Sequence, residues 1–230
     1  MIYAHLLRLR QAAAEREPVT YAVRLADGAS FVLPDQAAPP AINQAGADAL
    51  EADRISVVEI DGESWFIEAR NPAPRLVVVG AVHIAQALAP LAVTAGFDVT
   101  VIDPRTGFAA PERFPGVRID TAWPDEALAA LQPDARTAIV TLTHDPKLDD
   151  PALISALRSD AFYVGALGSS RTHAKRLDRL RALGFDDAAF ARIAAPVGLD
   201  IGARTAPEIA ISVIAEMVGA RRGKRRERGA

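Results

Sequence analysis

Apolar and polar positions along the chain follow two different rhythms, and the change between them falls near residue 70. Before it, residues 2–15 fit a helix with Ile2, Leu6, Leu9 and Ala13 on one face, and Pro18 ends the run. Two hairpins are then expected. Val19 to Ala26 alternates, Asp27-Gly28 turns, and Ala29 to Leu33 returns. Ile55 to Ile60 runs, Asp61-Gly62 turns, and Ser64 to Ala69 returns with Trp65 and Phe66. Asp-Gly between β-rich runs is a strong hairpin signal, because both turn positions tolerate a left-handed backbone. A loop and a short helix over Asn43 to Asp53 separate the two hairpins, and Asn71-Pro72-Ala73-Pro74 reads as a stiff linker.

From Arg75 onward strands and helices alternate, which implies a parallel sheet. Arg75 to Val79 is an apolar run, Gly80 breaks it, and Ile84, Leu88, Leu91, Ala92 and Ala95 recur at helical spacing. Gly96 closes that helix, and Phe97 to Ile102 is a second strand ending in Asp103. Further strands are expected at Gly116 to Ile119, Thr137 to Thr143, Ala161 to Val164 and Ile193 to Val197. Helices are expected at Pro124 to Leu131, from Asp150-Pro151 to Arg158, from Arg171 to Leu183, and from the capping box Thr205-Ala206-Pro207-Glu208 to about Gly219. In the last helix Ile209, Val213, Ile214 and Met217 should face the sheet. The expected fold is α/β: a Rossmann-like parallel sheet with helices on both faces over residues 75–220, preceded by a small antiparallel α+β domain over 1–70. Residues 71–74 would link the two, and 221–230 would be a basic, disordered tail.

Half of the 230 residues are hydrophobic, mostly small aliphatics, enough for a sizeable core. The formal charge of −3 is uneven: the tail carries +5, leaving −8 on the rest. A negative body argues against a nucleic-acid partner. The chain has no cysteine, which excludes disulfides, thiolate metal ligands and sulfur carried on its own thiol. The start lacks the apolar run of a signal peptide and no later run is long enough to span a membrane, so a cytoplasmic protein is expected. The apolar content and the small first domain suggest a homodimer.

Candidate chemistry collects where strands end, since open parallel sheets bind ligands beyond their carboxyl ends. Gly80-Ala81-Val82-His83 opens a helix whose amides suit an anion, and Asp103 can bind a ribose hydroxyl, with Arg105 able to meet a phosphate instead. Val82 stands at the middle glycine of a dinucleotide fingerprint and disfavours NAD(P), since a β-branched side chain crowds the pyrophosphate. A packed βαβ unit without a nucleotide is the plain alternative. His83 can be a neutral donor or acceptor, or be satisfied locally. His144, followed by Asp145, is either a general base or ligand contact, or part of an ordinary turn. Gly165 to Arg171, with Gly168, Ser169 and Ser170, forms a phosphate-binding pattern at a helix start, or a serine-capped helix with a solvated basic face through Lys175 and Arg176. Asp200 between two glycines is a ligand-facing acid or an Asx turn.

The blocks GAVHIAQALAPLA, VIDPR, THD, YVGALGSSRTHAKRLDRLRALGF and APVGLDIGARTAPEIAISVIAEMV resemble the C-terminal domain of the xanthine dehydrogenase accessory factor (XdhC/CoxI) family, from about Trp65 to Arg222. The resemblance implies binding of the molybdenum cofactor (a molybdopterin with a phosphate and a dithiolene), help with its sulfuration, and transfer to a molybdenum hydroxylase, with a cysteine desulfurase as sulfur source. On the cofactor-chaperone reading the phosphate would sit at Gly168, Ser169 and Arg171, faced by Gly80, Ala81 and His83, with Asp103, His144 and Asp200 contacting the pterin or a partner protein. Two departures stand out. Val82 replaces a glycine of the family's opening loop, and the Gly-Gly-Cys segment of its amino-terminal domain is missing. An oxidoreductase using Asp103 and His144, or a non-catalytic assembly factor with a degenerate site, are the alternatives.

Overall fold

The computed structural model describes residues 2–223, which divide between Pro72 and Ala73 into two compact units. The basic residues expected in the tail beyond 223 lie outside the described residues.

The first unit is a four-stranded antiparallel sheet with a helix on each face. Helix α1 (Tyr3–Ala14) leads into β1 (Val19–Arg24) and β2 (Ser30–Leu33); α2 (Pro40–Ala52) leads into β3 (Ile55–Ile60) and β4 (Glu63–Arg70). The strand order is β2-β1-β4-β3. Period-two alternation divides β1 between two cores: Val19 and Tyr21 pack with Leu9 and Ala12 of α1, while Ala22 packs with Ile42 and Ala49 of α2 and with Trp65 and Ile67 of β4. Asp61 and Gly62 both take positive φ, 54° and 78°, the geometry a two-residue hairpin needs. The first hairpin is looser. Its strand stops at Arg24, and α2 starts earlier than the apolar pattern indicates, because Pro40 supplies a ready-made first helical position.

The second unit is a six-stranded parallel sheet: β5 (Arg75–Val79), β6 (Asp98–Ile102), β7 (Arg118–Asp120), β8 (Thr137–Thr141), β9 (Tyr163–Ala166) and β10 (Ile193–Ala194). Their order, β7-β6-β5-β8-β9-β10, is the doubly wound Rossmann order, with the switch point between β5 and β8. β5 is apolar at every interior position because both faces are covered. Leu76 and Val78 face α3 (His83–Thr94) and α8 (Ala206–Arg221). Val77 and Val79 face the layer built by α4 (Pro124–Leu131), α5 (Pro146–Arg158) and α6 (Ser170–Ala182). A 3-10 turn (Pro111–Arg113) and a short α7 (Asp187–Phe190) complete the unit.

Three local expectations change. α5 begins at Pro146, capped by the Asp145 side chain, rather than at Asp150-Pro151. Asp-Pro occurs twice within a short stretch; the first pair starts the helix and Pro151 falls inside it, forgoing one helical hydrogen bond. α8 buries Ala210, Val213 and Met217 together with Ser212 and Glu216, while Ile209 and Ile214 are only partly covered. The capping box at its start is present. β10 stops at Ala194, two residues before Pro196, which has no amide to continue a ladder.

Candidate functional site

The site is the carboxyl edge of the parallel sheet around the switch point. Gly80 leaves β5 at φ 108°, and a Cβ there would lie 2.5 Å from the Thr143 Cγ2 of the loop after β8. Glycine at this position lets the two loops of the switch point close on each other. The next residues are braced from both sides. The Ala81 amide donates to Asp103 Oδ2 (2.8 Å), and the Ala81 carbonyl accepts from Arg113 Nη1 (2.9 Å).

Asp103, at the end of β6, is fully buried, with a side-chain exposure of 0%. Its Oδ1 accepts from the Arg105 amide (3.0 Å) and Nε (2.9 Å), and its Oδ2 from Arg105 Nη2 (2.8 Å) as well as from Ala81. Burial pushes this carboxyl up, but the bonds from Arg105 and the two backbone amides outweigh it and hold it below the ordinary carboxylate value. The Arg105 guanidinium, raised by Asp103, also lies over the Phe108 ring at 4.5 Å. A nucleotide ribose would have to displace Arg105 to reach this acid. Val82 sits at the N-cap of α3 with φ −88° and ψ 176°, a backbone any residue adopts, and offers no side-chain acceptor to the first-turn amides. Its side chain packs partly against the core, and His83 beside it is exposed.

The loop after β8 is gathered by a residue that the sequence pattern does not single out as functional. Asp149, in the first turn of α5 and 2% exposed, accepts from Thr143 Oγ1 (2.6 Å) and the His144 amide (3.2 Å). His144 is exposed and takes a left-handed backbone, φ 67°. Asp145 caps α5, accepting from the Lys147 amide at 3.0 Å. Asp149 also pairs at 3.3 Å with Nη2 of Arg176 from α6, whose side chain is 2% exposed. Burial acts against both charges, raising the Asp149 carboxyl and lowering the Arg176 guanidinium from their ordinary values. A signal for both is present in the sequence. Asp149 shares a helical stripe with Ala152, Leu153 and Ala156, and Arg176 precedes Leu180 by one turn, so each charge falls on a buried face.

Beyond β8's neighbour β9, Gly165 lies within the strand, and a Cβ there would come within 2.6 Å of Val197. Its glycine serves packing. Gly168 takes φ 138° just before α6, and Ser169 caps that helix, its Oγ accepting from the Thr172 amide at 3.2 Å. Ser170 is the first residue of α6, and Arg171 is exposed beside it. Asp200 is exposed in the loop that follows Gly198, whose amide donates to the buried Glu216 of α8 at 2.8 Å. The structure therefore gathers Gly80, Ala81, Asp103 and Arg105 in one braced turn, and His144, Asp145 and Asp149 in the next. A cavity of about 290 Å³ lies against His144 and Asp149, with Arg171 and Arg176 across from them. Among the described residues, no three His, Asp or Glu side chains are grouped to hold a metal ion, and no helix is long and apolar enough to cross a membrane.

The XdhC Rossmann domain model matches residues 76–217. The molybdenum cofactor insertion chaperone PaoD of Escherichia coli is 37% identical over 151 residues, covering 66% of this chain and 41% of PaoD. A probable xanthine dehydrogenase subunit of Bacillus subtilis is 35% identical over 160 residues, covering 69% of this chain and 46% of that protein. The chain thus spans less than half the length of these curated relatives. A crystal structure described as a xanthine dehydrogenase from Bacillus halodurans superposes with a TM-score of 0.73 at 21% identity, over 96% of this chain and 67% of the other, and so shares the fold. With the family model covering most of the second unit, the chain belongs to the XdhC family through its Rossmann domain.

Proposed function

We propose that this protein is an accessory factor for the maturation of molybdenum hydroxylases: it binds the molybdenum cofactor, assists its sulfuration, and delivers it to a client enzyme of the xanthine dehydrogenase or CO dehydrogenase type. One observation carries this reading over a nicotinamide enzyme. The acid that would hold a nucleotide ribose is sealed by Arg105, while the uncapped start of α3 and the basic start of α6 remain at the same sheet edge. That donor set suits the phosphate of a pterin cargo: backbone amides at α3, and Gly168, Ser170 and Arg171 at α6. His83 and His144, both exposed, would flank the pterin, and Asp200 would face the client. Asp103, Arg105 and Gly165 would hold the frame rather than touch the cargo. The relative named as an insertion chaperone supports the same assignment. With no cysteine in the chain, sulfur would come from a partner, a cysteine desulfurase. The cargo supplies the molybdenum chemistry; this chain's residues bind, orient and shield it.

The test is anaerobic binding of the molybdenum cofactor and of NADH to the wild type and to Val82→Gly and Arg171→Ala. Cofactor capture by the wild type, weakened about tenfold in Arg171→Ala, is expected, since a charged hydrogen bond is worth about one such factor. Tight NADH binding by the wild type with no cofactor capture would overturn the proposal.

A further inference from the structure

Arg176 is the largest fully buried side chain of the second unit to carry a charge, and two of its donors are unused. Its Nη2 reaches Asp149 (3.3 Å) and the Leu167 carbonyl (3.0 Å), while Nε and Nη1 are buried without a partner. A guanidinium stays protonated in proteins, so these donors cannot be silenced by losing a proton. Leaving them empty costs free energy in the unliganded fold. The Arg176 side chain forms part of the wall of the cavity between the starts of α5 and α6.

The charges lining that cavity do not balance. Arg176 is offset by Asp149, and Arg179 is held by both oxygens of Asp150. Arg171 and Lys175, one turn apart on α6, remain, and neither is paired with a carboxylate among the described residues. The excess is two positive charges. The cavity volume of about 290 Å³ stands at the lower end of small-molecule sites.

We propose that this cavity is an oxyanion site for a phosphate or pyrophosphate group, gripped from below by Arg176 and from the rim by Arg171 and Lys175. It lies one strand away from the switch-point crevice, between the loops after β8 and β9. The two surplus cations match the charge of a phosphoryl group, and the buried Arg176 lines the same cavity from the same helix. Thr172 and His144 complete the rim with polar groups. Arg171 and His144 also belong to the proposed pterin site, whereas Thr172, Lys175 and Arg176 do not, and a bare anion tests those three without the pterin.

Isothermal titration of the full chain with pyrophosphate and with ADP, at constant ionic strength, tests it. Constant ionic strength keeps surface screening from passing for binding. Wild-type protein binds pyrophosphate; Arg176→Met weakens binding about tenfold or more, and Lys175→Ala several-fold. Arg181→Ala removes a cation from the same helix outside the cavity and leaves affinity unchanged. Should Arg176→Met not fold, Lys175→Ala against Arg181→Ala decides. ADP binding tighter than pyrophosphate identifies the group as the tail of a larger ligand; pyrophosphate binding tighter identifies the free anion. No heat with either ligand, or equal losses in Lys175→Ala and Arg181→Ala, overturns the inference. Protein that captures the molybdenum cofactor but not pyrophosphate overturns this site alone, and the converse overturns the proposed function alone.

Discussion

Asp103 with Arg105 and Asp149 with Arg176 are both aspartate–arginine pairs beyond the carboxyl edge of one sheet, yet they differ in what surrounds the arginine. Arg105 wraps back from two residues away, gives Nε and Nη2 to the carboxylate, and keeps 36% of its side chain in water. Whatever it does not give to Asp103, solvent can satisfy. Arg176 comes from another helix, is 2% exposed, and gives Asp149 one long bond. Apart from a bond from Nη2 to the Leu167 carbonyl, its donors Nε and Nη1 meet neither protein nor bulk water. The first pair is a brace for the Gly80 turn. The second is a brace for the His144 turn that also keeps donors in reserve. Sequence spacing points to a nucleotide site at the first; the geometry moves the unmet chemistry to the second.

The comparison can be broken most severely at Asp149. Asp149→Ala strands Arg176 as an uncompensated buried charge and should cost about 3–5 kcal/mol in urea unfolding. Joining it with Arg176→Met should recover much of that loss, and strict additivity of the two would show that the pair is not coupled. Asp103→Ala should cost less, about 2 kcal/mol, because Arg105 can turn to solvent and the chief penalty is the orphaned Ala81 amide. The same unfolding experiment measures it.

Acid titration sharpens the contrast through its sign. The Asp103 carboxyl is held below its ordinary value, so its contribution is present above about pH 4 and is lost as pH falls through the lowered value. Asp149 is raised, so its folded form retains a proton longer, and stability falls as pH rises from about 4 toward the raised value. The stability gap between wild type and Asp103→Asn should therefore shrink on acidification, while the gap to Asp149→Asn should widen. Parallel curves would remove the distinction. The smallest effect is expected at Val82. Val82→Thr keeps the side-chain shape and adds a cap acceptor to α3, gaining about 0.5–1 kcal/mol in thermal unfolding and weakening anion capture at that helix start.

Most of the fold is legible in the sequence because periodicity changes where architecture changes. β5 reads as continuous apolar residues, as a strand covered on both faces must, and α4 falls at Pro124–Leu131 as its proline start indicates. The start of α5 is not, because Asp145-Pro146 and Asp150-Pro151 carry the same local signal, and choosing between them depends on where the strand before them ends. The candidate site is legible by position and not by state. That Asp103 ends a strand follows from the pattern; that Arg105 folds back over it depends on side-chain torsions. Arg113, ten residues beyond Asp103, reaches the Ala81 carbonyl only through the tertiary fold. Asp149 and Arg176 are readable as charges on apolar stripes, but Arg176 passes for part of a solvated basic face when α6 is read for its arginines alone.

His144 has one more consequence, for how this position can vary among relatives. A φ of 67° disfavours β-branched side chains and favours Gly, Asn, Asp and His. Substitution there is biased toward a short alphabet by the backbone before any ligand is considered. Within that alphabet only His projects a ring with two nitrogens, able to give on one and accept on the other. Drift to Gly, Asn or Asp would leave the turn intact and erase the ring from the cavity rim, so the identity of residue 144 would record whether a lineage still uses that rim.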